Sequence, residues 1–529
     1  MKYFKKSIDS YRQIMDSYHI GSLLAKILAY YNWSDEQIRQ FLMPSVAYQS
    51  DQHEVAKKIK TRIEQAKIKQ EKVFVFGDYD TDGICATSMM VKLLRYLGIE
   101  VGFYIPNRLQ EGYGLNLERT KQAIEKGYEL IITVDNGVKA YEPLEYAHAK
   151  GVDVIVIDHH TLENEFPCYA LWHPSMIDAS CQYLCGAGCV LQLVKLFDVQ
   201  LDAYLAMAAV ATIGDMMVLQ GENRWIVQQG LKIINEGKHL AFSQLVKNLP
   251  INEEDVSFQI VPKLNAVGRL ADRANVNQVV NFLLCDDVVQ VEKMALQIQA
   301  LNDERKKMTV DHEQLVDEKA LEQNFMVVYH EDFHPGIVGL LANRLCKNYG
   351  KPVMVLSSKD DCYVGSIRSV ESLDIMEYLN DISNLFEAFG GHKQAAGITF
   401  KKDKFTEINA YLQQCEYTQG EEKVECLSVD SVDLQWSNIQ ELYAYGPFGQ
   451  GVELPLLWYE NADIKDYRFM KKETYMKWQL SSVEAVWFSN THTYQDFVGE
   501  NDLVFIGKIG KNVYRGMTNY VLQLEHVVK

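Results

Sequence analysis

Residues 73–83 have the sequence VFVFGDYDTDG, in which four apolar residues precede Asp78, Asp80 and Asp82. Two other apolar runs end in the same way. Asp135 follows LIITV at 130–134, and Asp158, His159 and His160 follow VIVI at 154–157. Short runs of β-branched and aromatic residues, separated by polar segments of helical length, are typical of buried parallel strands. Because the carboxyl ends of such strands meet at one edge of a sheet, this pattern predicts an α/β domain with a metal site at that edge.

Carboxylates combined with imidazoles favour Mn²⁺ or Mg²⁺, and the lack of nearby cysteine ligands argues against structural zinc. Asp215, which follows the apolar run ATIG, is a further candidate ligand. A single aspartate at a strand end is often only the N-cap of the next helix. Three strands that end alike favour a metal cluster, in which two ions would activate a water for displacement at phosphorus.

The 529-residue chain is too long for one core. Its pattern predicts five segments: a helical lead-in at 1–70, an α/β domain at 71–285, a connecting helix at 286–323, a second, smaller α/β domain at 324–417 and a β-barrel at 418–529. No apolar run has the length of a membrane span, and the N-terminus has no signal-peptide pattern. Ten scattered cysteines favour a reduced, cytoplasmic protein. Among them, Cys181, Cys185 and Cys189 are interpreted as a packed helix face or loop.

The net charge of −18 argues against a nucleic-acid partner, because phosphate binding usually requires a basic surface. Two effects weaken the objection. Divalent ions would neutralise the acidic cluster, and a basic channel can lie on an acidic body.

The motifs DYDTDG, VDNG, DHH and GD, in this order, resemble those of the DHH phosphoesterase superfamily. Further segments resemble its RecJ branch: PNRLQEGYGL (106–115), LCGAG (184–188), PKLNAVGRL (262–270), HPGIVGLLANRL (334–345), GSIRS (365–369), GGHKQAAG (390–397) and YGPFGQG (445–451). The resemblance implies a DHH-type parallel-sheet domain, a long helix, a second α/β domain and a C-terminal OB-fold. It also implies a 5′→3′ exonuclease of single-stranded DNA that uses two Mn²⁺ or Mg²⁺ ions.

The resemblance also implies a role for each acid and histidine. Asp80 and Asp82 would be metal ligands, Asp135 would bridge the ions, and His159 and Asp215 would complete the second site. Asp78 would be a ligand or would support one. His160 would contact the scissile phosphate or its water, and Asp158 would orient an imidazole.

For the substrate, the resemblance implies phosphate contacts by Arg108 and Arg269, although each could be a surface arginine in a loop. The segment FGGHKQAAG could form close helix–strand packing or could approach a phosphate. With GSIRS it would form a nucleotide-binding face that includes Ser366, Arg368, Ser369, Gly391 and His392.

The sequence therefore predicts a metal-dependent 5′→3′ exonuclease that releases 5′-mononucleotides from single-stranded DNA in DNA repair and recombination. It is expected to be a monomer, with a helicase and a single-strand-binding protein as partners and no membrane. One alternative is a DHH phosphodiesterase of oligoribonucleotides or cyclic dinucleotides, and another is an inactive DHH scaffold in a replication complex. A third, an inorganic or polyphosphate hydrolase, would not need the barrel.

Overall fold

The structure is a computed structural model that describes residues 2–43, 48–418, 423–470, 475–488, 497, 500, 502–514 and 517–529. Contacts within the chain divide it into two compact units. One comprises residues 48–217 and 229–420, and the other comprises residues 1–47, 218–228 and 421–529. Among the described residues, no helix has the length and apolar character needed to cross a membrane.

The N-terminal segment contains one strand and four helices: β1 (Lys2–Lys6), α1 (Tyr11–Tyr18), α2 (Ser22–Tyr30), α3 (Asp35–Leu42) and α4 (Glu54–Lys69). The sequence pattern predicts helices throughout residues 1–70, so β1 is a departure from it. This strand pairs in parallel with residues 423–427. Its five residues, KYFKK, are too few and too basic to show the alternation by which a strand is recognised.

The first sheet is built from alternating strands and helices: β2 (Lys72–Phe76), α5 (Thr81–Tyr96), β3 (Val101–Tyr104), α6 (Leu117–Glu125), β4 (Tyr128–Val134), α7 (Tyr141–Ala149), β5 (Asp153–Ile157) and β6 (Ala170–Trp172). All five strands run parallel in the order β3-β2-β4-β5-β6, which confirms the predicted parallel sheet. After β2 the chain passes first to β3 on one side and later to β4 on the other. The loops that follow β2 and β4 therefore diverge and open a crevice at the carboxyl edge.

Helices follow the sheet: α8 (Gly186–Val194), α9 (Asp202–Gly214), α10 (Gly221–Asn235), α11 (Leu240–Leu245), α12 (Glu253–Asp255), a π-helical segment (Val256–Ile260), α13 (Val261–Arg269) and α14 (Asn277–Leu283). Helices α5, α8 and α9 pack on one another. Cys181 ends a short 3-10 turn before α8, Cys185 is the N-cap of α8 and Cys189 lies within it; all three are buried, which confirms their interpretation as a packed helix face or loop.

The connecting segment forms α15 (Val288–Gln314) and the short α16 (Glu318–Glu322). A single helix over 286–323 is expected from the sequence, but Asp317 starts a new helix by accepting the N–H of Lys319 at 2.9 Å. The second sheet follows: β7 (Met326–Tyr329), α17 (Val338–Tyr349), β8 (Val353–Lys359), β9 (Cys362–Arg368), α18 (Ile375–Asn380), β10 (Ala388–His392), β11 (Ala395–Lys401) and α19 (Phe405–Leu412). Its strand order is β10-β11-β9-β8-β7. We call residues 72–285 the first lobe and residues 326–412 the second lobe.

The C-terminal elements are β12 (Lys423–Val429), α20 (Trp436–Ala444), β13 (Leu457–Tyr459), β14 (Ile464–Met470), β15 (Tyr475–Leu480), β16 (Glu484–Trp487), β17 (Val504–Tyr514) and β18 (Met517–Val528). With β1 they form an eight-stranded sheet in the order β1-β12-β13-β17-β18-β16-β15-β14. The predicted β-rich C-terminal domain is thus confirmed, and the strand at the start of the chain is an addition to it.

Candidate metal centre and phosphate-binding cleft

The carboxyl edge of the first sheet brings together the acids and histidines that follow its strands. Asp78 and Asp80 lie in the loop after β2, Asp135 directly follows β4, and Asp158 and His159 directly follow β5. The ends of β2, β4 and β5 are aligned by their register, in which Phe76 pairs with Thr133 and Val134 with Ile157. The predicted convergence of three strand ends is therefore present.

Two further acids reach the site from helices. The alternation of Asp78, Asp80 and Asp82 predicts an extended segment with the three carboxylates on one face, but Asp82 lies in the first turn of α5, whose N-cap is Asp80. Asp215 is the C-cap residue of α9. The carboxylates therefore converge because a helix begins at the end of β2, not because alternate residues of a strand share a face.

The potential ligand atoms form three overlapping groups of three, and within each group all atoms lie within 4.8 Å of one another. The groups are Asp78–Asp80–Asp135, Asp82–His159–Asp215 and Asp135–His159–His160. The Nε2 atom of His159 lies 3.2 Å from Asp135 Oδ1, 3.5 Å from Asp215 Oδ2 and 3.8 Å from Asp82 Oδ2. Since Asp135 and His159 each belong to two groups, the site is one continuous cluster.

The Asp82 carboxylate is fixed by the N-terminus of α8. The backbone N–H groups of Gly186 and Ala187 donate to its two oxygens at 2.6 and 2.8 Å. A helix N-terminus presents free backbone N–H groups, so this contact holds the Asp82 side chain in one orientation at the edge of the site. A Cβ at Gly186 would lie 2.6 Å from the Cβ of Asp135, so the helix end can approach the acids only because residue 186 is glycine.

Asp135 has a φ of 60°, a left-handed conformation that is costly for a residue with a side chain. The Tyr113 hydroxyl donates to its carbonyl oxygen at 3.0 Å. The next residue, Asn136, donates from its side chain to the carbonyls of Phe76 and Val134 at 3.1 and 2.9 Å. These bonds join the ends of β2 and β4 and hold the strained residue in place.

The cluster lacks the positive charge that its buried acids require. The Oδ1 atoms of Asp78 and Asp135 are buried and have no hydrogen-bond partner among the described residues. Burial, followed by repulsion from neighbouring carboxylates, raises the pKa of Asp78, Asp80 and Asp135 and raises that of Asp215 to about 8. A divalent cation relieves both problems, and a donor set of carboxylates and imidazole fits Mn²⁺ or Mg²⁺.

The two adjacent histidines have opposite electrostatic surroundings. Burial lowers the pKa of His159, which favours the neutral imidazole that a metal ligand needs. Burial also acts on His160, but its Nδ1 lies 2.8 Å from Asp158 Oδ1, and this carboxylate raises the pKa of His160 overall. Asp158 also accepts the backbone N–H groups of both histidines. It therefore orients an imidazole, as the sequence interpretation expects.

Four arginines lie near one another where the two lobes meet. Arg108 is in the loop after β3, Arg269 ends α13, Arg305 lies on α15 and Arg368 ends β9. Burial, followed by repulsion from the other three, lowers the pKa of Arg269 to about 9. Burial also lowers the pKa of Arg305 and Arg368. Arg269 is thus at a helix end and not in the loop expected from the sequence, and a bound anion would relieve the repulsion within the cluster.

Tyr79 lies close to both the arginines and the acids. The guanidinium of Arg108 lies 5.0 Å from the centre of its ring, and Asp78 and Asp80 are its neighbours in sequence. Burial raises the pKa of the Tyr79 hydroxyl to about 12, with Arg108 and Arg269 opposing this rise and the two aspartates adding to it. One tyrosine therefore lies beside both the arginine cluster and the acid cluster.

The candidate substrate-binding residues of the second lobe lie at the end of β9 and in β10. Ser366 accepts a hydrogen bond from Arg368 Nη1 at 2.8 Å, whereas the Ser369 hydroxyl donates to the Leu373 carbonyl at 2.9 Å and closes a local turn. The segment that contains Gly391 and His392 forms an antiparallel hairpin of β10 and β11, and α18 packs on both strands. His392 pairs with Ala395 and Ala395 pairs with Arg368, which places all three in one row across three strands.

Sequence reasoning missed several residues of this site. Arg305 lies within a strongly charged helix, where it resembles a solvated residue, yet its Nε is buried and has no partner within the described part of the chain. Gly186, Tyr113 and Asn136 act through backbone contacts, which leave no charge pattern. Gly186 lies in the segment LCGAG (184–188), which does not directly follow a strand and precedes a helix. This pattern could have indicated a helix N-terminus at Gly186.

Comparison with known proteins identifies the parts of the chain. Residues 72–218 match the sequence model of the DHH family N-terminal domain, residues 322–417 match the DHHA1 domain, and residues 427–526 match the RecJ OB domain. The single-stranded-DNA-specific exonuclease RecJ of Bacillus subtilis is 33% identical, over 95% of this chain and 67% of the relative.

Solved structures agree with these matches. RecJ from Thermus thermophilus in complex with Mn²⁺ has a TM-score of 0.85 at 23% identity, covering 100% of this chain and 79% of that one. An exonuclease RecJ bound to manganese has a TM-score of 0.61 at 29% identity, covering 68% of this chain and 93% of that one. The chain belongs to the RecJ family.

Proposed function

We propose that this chain is a divalent-metal-dependent exonuclease that degrades single-stranded DNA from the 5′ end and releases 5′-mononucleotides in DNA repair and recombination. The main support is that Tyr79 lies close to members of both the acid cluster and the arginine cluster. A chain end that is held by the arginines would place an adjacent phosphodiester beside the acids.

Asp78, Asp80 and Asp135 would hold one Mn²⁺ or Mg²⁺ ion, and Asp82, Asp135, His159 and Asp215 would hold the second. This assignment is supported by the overlapping groups of ligand atoms and by the unpartnered buried oxygens of Asp78 and Asp135. When bound, such a pair of ions supplies the positive charge that activates a water and stabilises in-line displacement at phosphorus.

The proposed role of His160 is to contact the scissile phosphate. Its pKa is raised by the Asp158 carboxylate 2.8 Å away, so its ring retains a proton more readily than that of His159. A protonated imidazole can donate a hydrogen bond to a phosphate oxygen as negative charge develops there. Asp158 would act by orienting this ring.

Arg108, Arg269, Arg305 and Arg368 would bind the terminal 5′-phosphate, with Ser366 positioning Arg368. One guanidinium group can donate two parallel hydrogen bonds to a phosphate. The pKa of Arg269 is lowered by burial and by repulsion from the other arginines, and a bound anion would remove that repulsion. Ser369, Gly391 and His392 would lie beside the first nucleotide. Recognition of an end, rather than of an internal phosphate, would make the enzyme an exonuclease with fixed polarity.

The proposal is tested by digestion of 3′-labelled oligonucleotides with Mn²⁺ or Mg²⁺, comparing single strands, duplexes, dinucleotides and cyclic dinucleotides. Ordered loss of nucleotides from the 5′ end of single strands is expected. Activity confined to dinucleotides or cyclic substrates would favour the oligoribonucleotide or cyclic-dinucleotide phosphodiesterase instead. Absence of hydrolysis with either ion would favour the inactive scaffold.

Two variants test the assignment of residues. Asp135→Ala should abolish turnover because both proposed ions lose a ligand. Arg108→Ala should raise the KM for a 5′-phosphorylated strand. The matched control is Arg344→Ala, because Arg344 is exposed and pairs with Glu313 at 2.9 Å on the outer side of α15 and α17. An equal effect of both arginine variants would contradict the phosphate assignment.

We also propose that the protein works as a cytoplasmic monomer with a helicase and a single-strand-binding protein. The ten cysteines all lie within the described residues and form no disulfide, as is common in a reducing compartment. Both side-chain clusters come from one chain, so a second copy is not needed to complete them. An enzyme that needs single strands also needs a reaction that unwinds duplexes. Light scattering and co-purification from native cells would test these proposals.

A further inference from the structure

The loop that joins β7 to α17 in the second lobe contacts the first lobe through His334. The Nδ1 atom of His334 accepts the backbone N–H of Gly336 at 3.1 Å. Because Nδ1 accepts, the ring proton is on Nε2, which donates to Asp272 Oδ1 at 3.1 Å. The two ring nitrogens thus have separate functions, one within the loop and one between the lobes.

The same loop lies against the backbone of Arg269. A Cβ at Gly336 would lie well under 3.0 Å from the Arg269 carbonyl oxygen, so only glycine permits this approach. Arg269 is the last residue of α13 and is the arginine whose pKa is lowered to about 9 by burial and by the neighbouring arginines. The position of its backbone is therefore set from one side by the second lobe.

The contact continues to the connecting helix. Asp272 Oδ2 lies 3.4 Å from Arg273 Nε, and Arg273 in turn pairs with Glu304 on α15. Glu304 directly precedes Arg305, another member of the arginine cluster. The chain His334–Asp272–Arg273–Glu304 thus joins the second lobe, the end of α13 and α15 around the arginines.

We propose that His334 is a positioning residue: by holding Asp272 through Nε2 it fixes Arg269 where a terminal 5′-phosphate binds. This inference rests on the proposed function, because it concerns the phosphate-binding role given there to Arg269. A purely structural role for His334 would alter stability without altering the preference for a 5′-phosphate.

His334→Asn separates the two functions of the ring. An asparagine side-chain oxygen can still accept an N–H two residues further on, as in an Asx-turn, but the shorter side chain cannot reach Asp272. His330→Asn is a matched control. The Nδ1 atom of His330 likewise accepts the N–H of Asp332 at 3.2 Å, but this contact lies within the second lobe.

The experiment measures kcat and KM for one single strand with either a 5′-phosphate or a 5′-hydroxyl. His334→Asn should reduce the ratio of kcat/KM between these substrates about tenfold, mainly through the KM of the phosphorylated strand, since one charge-assisted hydrogen bond is lost. His330→Asn should leave the ratio unchanged. Asp272→Ala should match His334→Asn, and the double variant should be no worse than Asp272→Ala.

Arg269→Ala is the reference variant. If Arg269→Ala leaves the ratio unchanged, the proposed phosphate clamp is wrong, and the role of His334 fails with it. If Arg269→Ala lowers the ratio but both His334→Asn and Asp272→Ala keep the wild-type value at an unchanged melting temperature, only the positioning role is overturned. A lower melting temperature with an unchanged ratio would show that His334 is merely structural.

Discussion

The metal-free protein should lose stability as the pH rises, because its acid cluster is held without a counter-ion. Burial and neighbouring carboxylates raise the pKa of Asp215 from 3.8 to about 8. Between these values the folded state retains a proton that the unfolded state releases. The free energy of unfolding therefore falls with increasing pH in this window, by about 1.4 kcal/mol per pH unit for one proton.

Asp215 is partly exposed at the mouth of the site, so water screens its interactions. With the nominal slope halved for that reason, the expected loss from pH 5 to pH 8 is about 2 kcal/mol, or roughly 2 °C in melting temperature for a chain of 529 residues. Saturating Mn²⁺ should raise the melting temperature more at pH 8 than at pH 5, because protons compete with the ion at pH 5.

The measurement is differential scanning calorimetry in chelator at pH 5, 6, 7 and 8, with wild type, Asp215→Asn and the exposed control Asp403→Asn. Asp215→Asn should flatten the decline, because the amide does not titrate, and should also abolish hydrolysis. The control should follow the wild type. Identical pH slopes for wild type and Asp215→Asn would refute the electrostatic reasoning, whatever the effect on activity.

Three further changes have expected outcomes. Gly186→Ala should lower the free energy of unfolding by about 1–3 kcal/mol, because the new methyl group would meet Asp135. It should also lower the affinity for Mn²⁺ in titration calorimetry, and wild-type affinity would contradict this. Tyr113→Phe should reduce kcat about tenfold in steady-state assays with little change in melting temperature, because the bond to the strained Asp135 is lost. Arg62→Ala should lower the free energy of unfolding by about 3–5 kcal/mol in urea titrations while kcat stays normal, because the buried Glu71 keeps only the exposed Lys69, 3.6 Å away, as a partner.

The sequence predicts the parallel sheet and its metal edge because both arise from short-range patterns. A buried parallel strand is nearly all apolar, and the residue after it faces the crevice, so Asp135 and Asp158 can be located without coordinates. The position of Asp82 could not be derived in the same way. Whether a segment after a strand continues or turns into a helix depends on packing, and here Asp80 becomes the N-cap.

Long-range contacts account for most of what the sequence could not provide. The role of Arg305 depends on which side of α15 meets the lobes, and the charged run DERKK at 303–307, in which Arg305 lies, gives no indication of this. The pairing of β1 with β12 joins residues more than 400 positions apart in the sequence, so no local signal could predict it. The boundaries of the five predicted segments stay a prediction, which limited proteolysis would test.

The pairing of β1 with β12 also has a consequence for synthesis on the ribosome. Lys2–Lys6 are translated before their partner strand, Lys423–Val429, which follows some four hundred residues later. At about 5–20 residues per second this takes tens of seconds, during which the sheets of the two lobes can already form. The basic strand β1 therefore has no partner strand during that time. It can pair with β12 only after the C-terminal domain has been synthesised, so this pairing is a late event in folding.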